Sequence, residues 1–406
     1  MALVVDWRRD LHGAARLAFT GVDRVTGIVE AMHANIAGRA LPLGAGTDGR
    51  TRGITGLVYR TIQTINGGLG AGVDRGFALL GQGRPALPGP VADRRREAWL
   101  AALNGVIGDH LDETVNPLAI PMTFRRGGQA LDLEPQALRA RLGRVGGHLL
   151  VQVHGLCMND LQWHRKDHDH GDRLAGTFKV VPVKLHYNTG RHISLNGRDF
   201  ALLLDRLVAA WPVPVERITL LGHSMGGLVT RAACAHARQA GLSWLDRVGE
   251  IVYLGTPHHG APLERGGHWL QTTAEISPYL APIARLGRLR SAGVTDLRHG
   301  NIADEDWAQG DRFARAAGRR RHPLPLASGI RHFAVAASLG QAAGDAKDRL
   351  IGDGLVPLDS ALGRHPDPAW RLDFAPEHSL TLFETSHWDL LSSPAVADRL
   401  VSWLGS

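Results

Sequence analysis

Cysteine is nearly absent from this chain of 406 residues, and its scarcity limits the disulfide and metal chemistry that the protein can use. The two cysteines are Cys157 and Cys234, so no disulfide framework can form and no CxxC pair is present to bind zinc. Both lie in apolar stretches, which predicts reduced, buried thiols.

Long apolar runs are missing as well. No stretch reaches the roughly 18 uninterrupted apolar residues that a membrane-spanning helix requires. The first residues, MALVVDWRRD, contain an apolar run that is too short for a secretory signal, and charges follow it directly. The expectation is therefore a soluble, cytoplasmic protein.

Charge of one sign is not concentrated anywhere in the chain, although the formal net charge is +7. Basic residues are scattered singly among acids, apart from short clusters such as the RRR runs at 94–96 and 319–321. No stripe of basic residues interleaved with aromatic residues accompanies them, as nucleic-acid binding would require. We therefore expect no nucleic-acid partner.

The chain does contain enough apolar sequence, 44% of its residues, for a large domain and an additional segment. In the first hundred residues, apolar side chains recur at helical spacing in three stretches, separated by two connections rich in Gly and Pro. The third stretch covers 92–111, and the apolar positions of the first two are Val22, Val25, Ile28, Val29, Met32, Ile36, Ile54, Leu57, Val58, Ile62, Ile65, Leu69, Val73 and Phe77. This pattern predicts a helical segment over residues 1–114, whose apolar faces either pack on the following domain or contact a lipid surface or hydrophobic granule.

From about Asn116 onward the periodicity becomes that of an α/β domain, which we place at 115–406. The sequence MTFRRGGQALDL predicts a hairpin with its turn at 126–128. Buried strands are predicted at 148–153, 178–185, 218–221, 250–254 and 332–337, with helices at 197–211 and 225–240 between them. Such alternation predicts a mostly parallel sheet covered by helices on both faces. The long, irregular stretch 261–325 predicts an inserted cap.

The pentapeptide GHSMG places Ser224 between a predicted strand and a predicted helix. Gly222 and Gly226 remove the Cβ atoms that would clash across so sharp a turn, and the turn would expose the serine hydroxyl above the sheet edge. This context predicts that Ser224 is a nucleophile rather than part of a plain glycine-rich turn.

A serine nucleophile needs a base, which in turn needs an orienting acid. Because the chain has 21 histidines, only position can select the base. His387 follows the last predicted strand, and Asp353 lies in a loop after an earlier one, in the order Ser, acid, His that this topology requires. Asp359 is the alternative acid and His378 the weaker alternative base.

An oxyanion hole needs two preset N–H donors. One is expected from Met225, directly after the nucleophile, and the other from Leu156 or Cys157 in the loop VHGLCMND. Residues assigned to substrate binding are His154, Gly155 and His223 near the nucleophile, and Tyr279 and Leu280 in the cap. His154 is alternatively a core histidine that holds its loop.

The loop from His164 to Asp172 collects three histidines and three aspartates in nine residues. It can hold a divalent ion, or it can be a polar surface loop that caps the next helix. We favour the second reading, because alternating residues on one loop seldom surround a metal, and we predict no metal or cofactor.

Five pieces in this order, VHGLCMND, GHSMGG, LGTPHHGAPLERGG, GDGLVP and SHWDLL, resemble the α/β-hydrolase superfamily. More narrowly, they are similar to its branch of lipases and GPI-inositol-deacylase-like esterases. The resemblance covers residues 115 to 406 and implies a serine carboxyl-ester hydrolase that works through an acyl-enzyme.

The leading hypothesis is therefore an esterase or lipase acting on a small-molecule or lipid ester with an apolar acyl group. Alternatives are an acyltransferase, a depolymerase of polyester granules, and a non-catalytic lipid-binding scaffold. The oligomeric state stays open.

Overall fold

The structure, a computed structural model, describes residues 7–39, 53–81, 94–261, 291–308, 321–342 and 352–405. These residues form two compact units. One consists of the described residues up to 93 together with 113–119, and the other of 94–112 together with the residues from 120 onward. In packing terms, the helix at 94–112 thus belongs to the sheet-containing unit, although its periodicity groups it with the N-terminal segment; the predicted domain division itself stays a prediction.

The first unit contains two long helices, α1 (Trp7–Arg39) and α2 (Gly53–Gly81). They contact each other through polar as well as apolar groups: the Asn66 amide donates to Asp23 at 2.8 Å, and His12 lies 2.6 Å from Asp74. The apolar side chains of Ile62, Ile65 and Leu69 are exposed on α2, so this part of the predicted apolar face is not buried. A lipid contact through these helices stays a prediction.

The second unit is built on an eight-stranded sheet. Its strands are β1 (Thr123–Arg126), β2 (Gln129–Ala130), β3 (His148–Val153), β4 (Val180–His186), β5 (Arg217–His223), β6 (Val248–Leu254), β7 (Arg331–Ala337) and β8 (Ser379–Leu382). The spatial order is β2-β1-β4-β3-β5-β6-β7-β8. Strands β3 to β8 are parallel, and the β1–β2 hairpin pairs antiparallel with β4 at one edge. The predicted α/β fold is confirmed.

Helices of this unit cover both faces of the sheet. They are α3 (Arg94–Glu113, of which 94–112 belong to this unit), α4 (Pro135–Leu142), α5 (His170–Thr177), α6 (Ile193–Ala210), α7 (Met225–Ala240), α8 (Ala292–His299), α9 (Leu358–Ala361) and α10 (Pro394–Leu404). One core contains Phe200 of α6 and Leu228 of α7, and a second contains Leu400 and Trp403 of α10. Among the described helices, none is both long and apolar enough to cross a bilayer.

Local sequence explains the accuracy of the strand predictions. The five predicted strands, β3 to β7, are runs of mostly β-branched and aliphatic residues that are buried over most of their length, and their bounds differ from the predicted ones by at most two residues. The hairpin turn uses Gly127 and Gly128 at φ +58° and +75°, values that other residues adopt at a cost. Within the predicted cap, the structure describes α8 and its neighbours at 291–308 and the stretch from 321; the rest lies outside the described residues.

Candidate active site

Ser224 occupies the sharp turn between β5 and α7. Its backbone has φ +53° and ψ −125°, a strained combination for a residue with a side chain. Its N–H donates to the carbonyl of Leu254 at the end of β6, at 2.8 Å, which ties the turn to the neighbouring strand. Its side chain is nearly buried, so access to the hydroxyl is restricted.

The glycines around Ser224 are required by close backbone approach. A Cβ on Gly226 would lie 2.0 Å from the Val153 carbonyl oxygen, and a Cβ on Gly222 would lie 2.6 Å from the Cα of Gly227. Neither position has room for a side chain, because the atoms in the way are backbone atoms. The GxSxG pattern is therefore explained by packing of the turn between β3 and the start of α7.

His387 and Asp353 form a buried pair on two loops that follow β8 and β7. Nδ1 of His387 lies 2.7 Å from the carboxylate of Asp353, and the His387 N–H donates to the Asp353 carbonyl at 3.0 Å. Because an ionised carboxylate only accepts, the proton of this bond belongs to Nδ1. The other carboxylate oxygen accepts N–H bonds from Leu355 and Val356. This arrangement leaves Nε2 of His387 as the basic nitrogen.

Three observations show that His387 lies at the same edge of the sheet as Ser224. The ring of His223, the residue before the serine, is 4.7 Å from the ring of His387, centroid to centroid. His223 also donates from Nε2 to the His387 carbonyl at 3.2 Å. A Cβ on Gly255, just after the strand end to which Ser224 is bonded, would lie 3.1 Å from Cε1 of His387. Nε2 of His387 is buried and has no hydrogen-bond partner among the described residues.

The alternative acid and base lie in other surroundings. Asp359 is exposed and pairs with the equally exposed Arg364 at 3.5 Å. His378 stands at the start of β8 with its ring 4.4 Å from that of Phe333. The structure thus brings His387 together with Asp353 and not with Asp359.

The loop after β3 contacts Ser224 directly, since a Cβ on Gly155 would lie 2.9 Å from the Cβ of the serine. Of the predicted donors, the Cys157 N–H is already bonded to the hydroxyl of Thr189 at 3.1 Å. The N–H groups of Leu156 and Met225 have no partner among the described residues. Leu156 and Met225 are therefore the better candidates for an oxyanion hole.

Cys157 has an unusual backbone and an unreactive side chain. Its φ is +60°, and its sulfur lies against Gly105 of α3, where an added Cβ would come within 2.1 Å. Burial raises the pKa of the Cys157 thiol to about 12, so it is protonated at neutral pH.

His154 and His223 are both fully buried, and burial lowers the pKa of each, to about 4 for His154, so both are neutral at pH 7. His154 stacks on Tyr187 with centroids 4.5 Å apart, and the Tyr187 hydroxyl donates to the His154 carbonyl at 2.7 Å. These contacts fit the alternative in which His154 holds its loop. Substrate contacts of His154, Gly155 and His223 stay predictions, and Tyr279 and Leu280 lie outside the described residues.

The polar loop from His164 to Asp172 is engaged with the protein around it. Asp169 accepts N–H bonds at the start of α5 and pairs with Lys184 at 2.5 Å. The buried His170 donates from Nε2 to the Leu390 carbonyl at 2.8 Å and accepts from His168 at Nδ1. These are the contacts of a helix-capping loop, and within the described ranges no three His, Cys, Asp or Glu side chains are grouped to hold a metal ion.

Two features of the site were missed by the sequence analysis. Thr189, in the loop after β4, holds the Cys157 N–H, and its isolated position in a polar stretch carries no signal of this role. Helix α3 packs on the loop after β3 through Ala102 and Val106. The sequence signal for this packing is the pair of glycines in α3, Gly105 and Gly108. Both lie so close to loop atoms that neither position has room for a side chain.

The chain is similar to one family model and to several solved structures. A family model described as PGAP1-like alpha/beta domain matches residues 205–322, and no curated protein matches the chain. Among solved structures, the mature lipase BlEst2 of Bacillus licheniformis aligns at 18% identity and a TM-score of 0.40, over 63% of this chain and 90% of its own. Aspergillus fumigatus lipase B aligns at 12% identity and 0.40, over 70% and 60%. The RedJ thioesterase of Streptomyces coelicolor aligns at 18% and 0.34, over 64% and 86%.

All three TM-scores are below 0.5, so these structures do not identify a substrate for this chain. The family model covers less than a third of the chain. The strand order and the strained serine turn fit the predicted similarity to the α/β-hydrolase superfamily.

Proposed function

We propose that this protein is a serine ester hydrolase in which Ser224, His387 and Asp353 act as a catalytic triad. The observation that carries the proposal is the strained backbone of Ser224 beside a buried His387–Asp353 pair whose Nε2 is unpartnered among the described residues. Strain of this kind persists where a function depends on it. A buried imidazole with one nitrogen fixed by a carboxylate is prepared to accept a proton at the other.

In the proposed reaction, Oγ of Ser224 bonds to the ester carbonyl carbon while its proton passes to Nε2 of His387. Asp353 stabilises the resulting imidazolium through Nδ1–H. The N–H groups of Met225 and Leu156 bind the oxygen anion. Collapse of the intermediate expels the alcohol, which takes the proton from Nε2, and water then repeats the sequence on the acyl-enzyme.

An apolar acyl group is the proposed substrate feature. Apolar side chains of α3 and of the loop after β3 form one cluster that includes Val106, Ile107 and Leu156, the last of which supplies one proposed donor. These side chains favour a hydrocarbon next to the reacting carbonyl because its burial removes apolar surface from water.

The first test is Ser224→Ala assayed on p-nitrophenyl butyrate and p-nitrophenyl octanoate. We expect kcat/KM to fall by about 10⁴-fold or more, because loss of a triad member removes most of the rate enhancement. Ser243→Ala is the matched control, since Ser243 is bonded only to Arg247 on the surface. A fluorophosphonate probe should label the wild-type protein at Ser224, as located by peptide mass spectrometry.

Ester turnover that survives Ser224→Ala in a folded variant would show that the assignment is wrong. Wild-type protein that is folded but is neither labelled nor active would instead favour a non-catalytic scaffold.

A further inference from the structure

A pocket lies along α7, and Ser224 is not among its lining residues. It has a volume of about 350 Å³, which falls within the range of small-molecule sites. Its lining includes Arg231 and Arg238 of α7, separated by seven residues and therefore by about 10 Å along the helix axis. Arg231 is buried and Arg238 is exposed, so the pocket has one buried end and one open end.

The positively charged guanidinium of Arg231 lies at the buried end of the pocket, and no acidic side chain of the described residues balances it. Its side chain is only 6% exposed, and two of its nitrogens contact Nδ1 of His258 and the carbonyl oxygen of Leu324. Its Nε has no hydrogen-bond partner among the described residues. No carboxylate of the described residues is among the charged groups that act on it.

This charge is present at neutral pH. Burial, with a smaller contribution from the neighbouring Arg321, lowers the pKa of Arg231 to about 10. The pKa still lies well above 7, so the guanidinium is protonated. An unpaired buried cation is strongly unfavourable, which is why buried charges in proteins are almost always paired. Among the described residues, no anion balances this charge.

The rest of the pocket is apolar and contributes no further charge at its buried end. Ile251 and Tyr253 of β6 form one wall, and Leu324 and Leu326 form another. The hydroxyl of Tyr253 is already paired with His332 at 3.2 Å. His258 is neutral, because burial lowers its pKa well below the usual value. Arg231 is therefore the charged residue of the pocket lining at its buried end, and its guanidinium can bind a carboxylate.

We propose that this pocket binds a small carboxylate that carries an apolar chain. The carboxylate pairs with the guanidinium of Arg231, and the chain lies along α7 toward Arg238, against Ile251 and Leu326. The site does not require ester hydrolysis at Ser224, so it can be tested independently of the proposed catalytic function.

The test uses octanoate as the probe and isothermal titration of the full-length protein. We expect octanoate to bind the wild type and to bind Arg231→Met at least tenfold more weakly. Arg231→Lys, which keeps the charge, should retain part of the affinity. Arg247→Met is the matched control, because Arg247 is half-buried, does not line the pocket and is bonded only to Ser243, and it should bind as the wild type does.

Two further ligands separate the contributions of charge and chain. Octanol lacks the charge and inorganic phosphate lacks the chain, so each should bind at least tenfold more weakly than octanoate. Equal binding of octanol, equal binding of phosphate, or unchanged octanoate binding by Arg231→Met would each overturn the proposal.

A crystal soaked with 8-bromooctanoate locates the ligand in the wild-type protein and keeps the test decisive if Arg231→Met does not fold. Bromine density in the pocket along α7, with the carboxylate at Arg231, is the expected result. Density confined to the surroundings of Ser224 would overturn the proposal.

Discussion

At the scale of single residues, Ser224 shows how tertiary contacts can hold a strained backbone conformation. The residue has a Cβ but adopts a positive φ, which glycine alone adopts without cost. The turn is held in this conformation by the bond from its N–H to Leu254 and by contact with β3 through Gly226. The serine therefore keeps a conformation that an isolated peptide would avoid.

A pair of variants measures this strain. We expect Ser224→Gly to be more stable than Ser224→Ala by about 1 kcal/mol, because glycine relieves the positive φ whereas alanine retains it. Both variants lack the hydroxyl, so the difference reports the backbone alone. Urea denaturation at neutral pH gives the two free energies of unfolding. Equal stabilities, or a more stable alanine variant, would contradict a strained turn.

At the scale of secondary-structure elements, α3 contacts the loops that follow β3 and β4. It approaches the loop after β3 at Gly105, where an added Cβ would lie 2.1 Å from the Cys157 sulfur. It approaches the loop after β4 at Gly108, whose carbonyl accepts from the amide of Asn188 at 2.8 Å. A helix that fixes two loops through backbone contacts is well suited to set the position of the Leu156 N–H.

Gly105→Ala tests this role of α3. The added Cβ meets the Cys157 sulfur at 2.1 Å, so we expect a loss of about 1–3 kcal/mol of stability and a lower kcat/KM on p-nitrophenyl esters. The double variant Gly105→Ala/Cys157→Ala removes that sulfur and should recover part of both losses.

Gly176→Ala on α5 is the control, because a Cβ there meets no atom within 4 Å. It should leave kcat/KM unchanged. A double variant no better than Gly105→Ala would show that the sulfur contact is not the cause of the loss.

At the scale of the whole molecule, buried neutral histidines make stability depend on pH. Burial lowers the pKa of His154 and His170 to about 4, and lowers that of His186, His223 and His258 as well. Between the unfolded value near 6.5 and the folded value, the unfolded chain binds more protons than the folded one. The free energy of unfolding must therefore decrease as the pH falls below about 6.5.

His170→Gln tests this linkage. When the pH is lowered from about 7 to about 5, the free energy of unfolding of the wild type should fall by about 2 kcal/mol more than that of the variant. The reason is that a buried neutral histidine such as His170 contributes about 1.4 kcal/mol per pH unit below the unfolded pKa, and the variant lacks it. Urea denaturation at the two pH values measures the difference. Trp244→Phe, which removes a buried hydrogen bond to Ala201 but no titrating group, should keep the wild-type pH dependence. An identical pH dependence for His170→Gln would contradict the linkage.

Much of the fold could be predicted from the sequence because local rules determine it. Strands β3 to β7 are apolar runs between turn signals, so periodicity alone locates them. Ser224, Asp353 and His387 could be selected because each follows a predicted strand, and parallel strands bring their carboxyl ends to one edge of the sheet. The buried pairing of His387 with Asp353 agrees with that selection.

Other features were decided only by the tertiary structure. Two of these features are contacts between residues far apart in the chain: the hydrogen bond from the Cys157 N–H to Thr189 and the packing of α3 on the loop after β3. The third is the Nε of Arg231, which has no hydrogen-bond partner among the described residues. No local pattern encodes such contacts, since they depend on which loops and helices meet after folding. The sequence by itself determined the strands, the serine turn and the order of acid and base. Burial and long-range contacts decided that the Cys157 N–H is bonded to Thr189 and that no acidic side chain of the described residues balances Arg231.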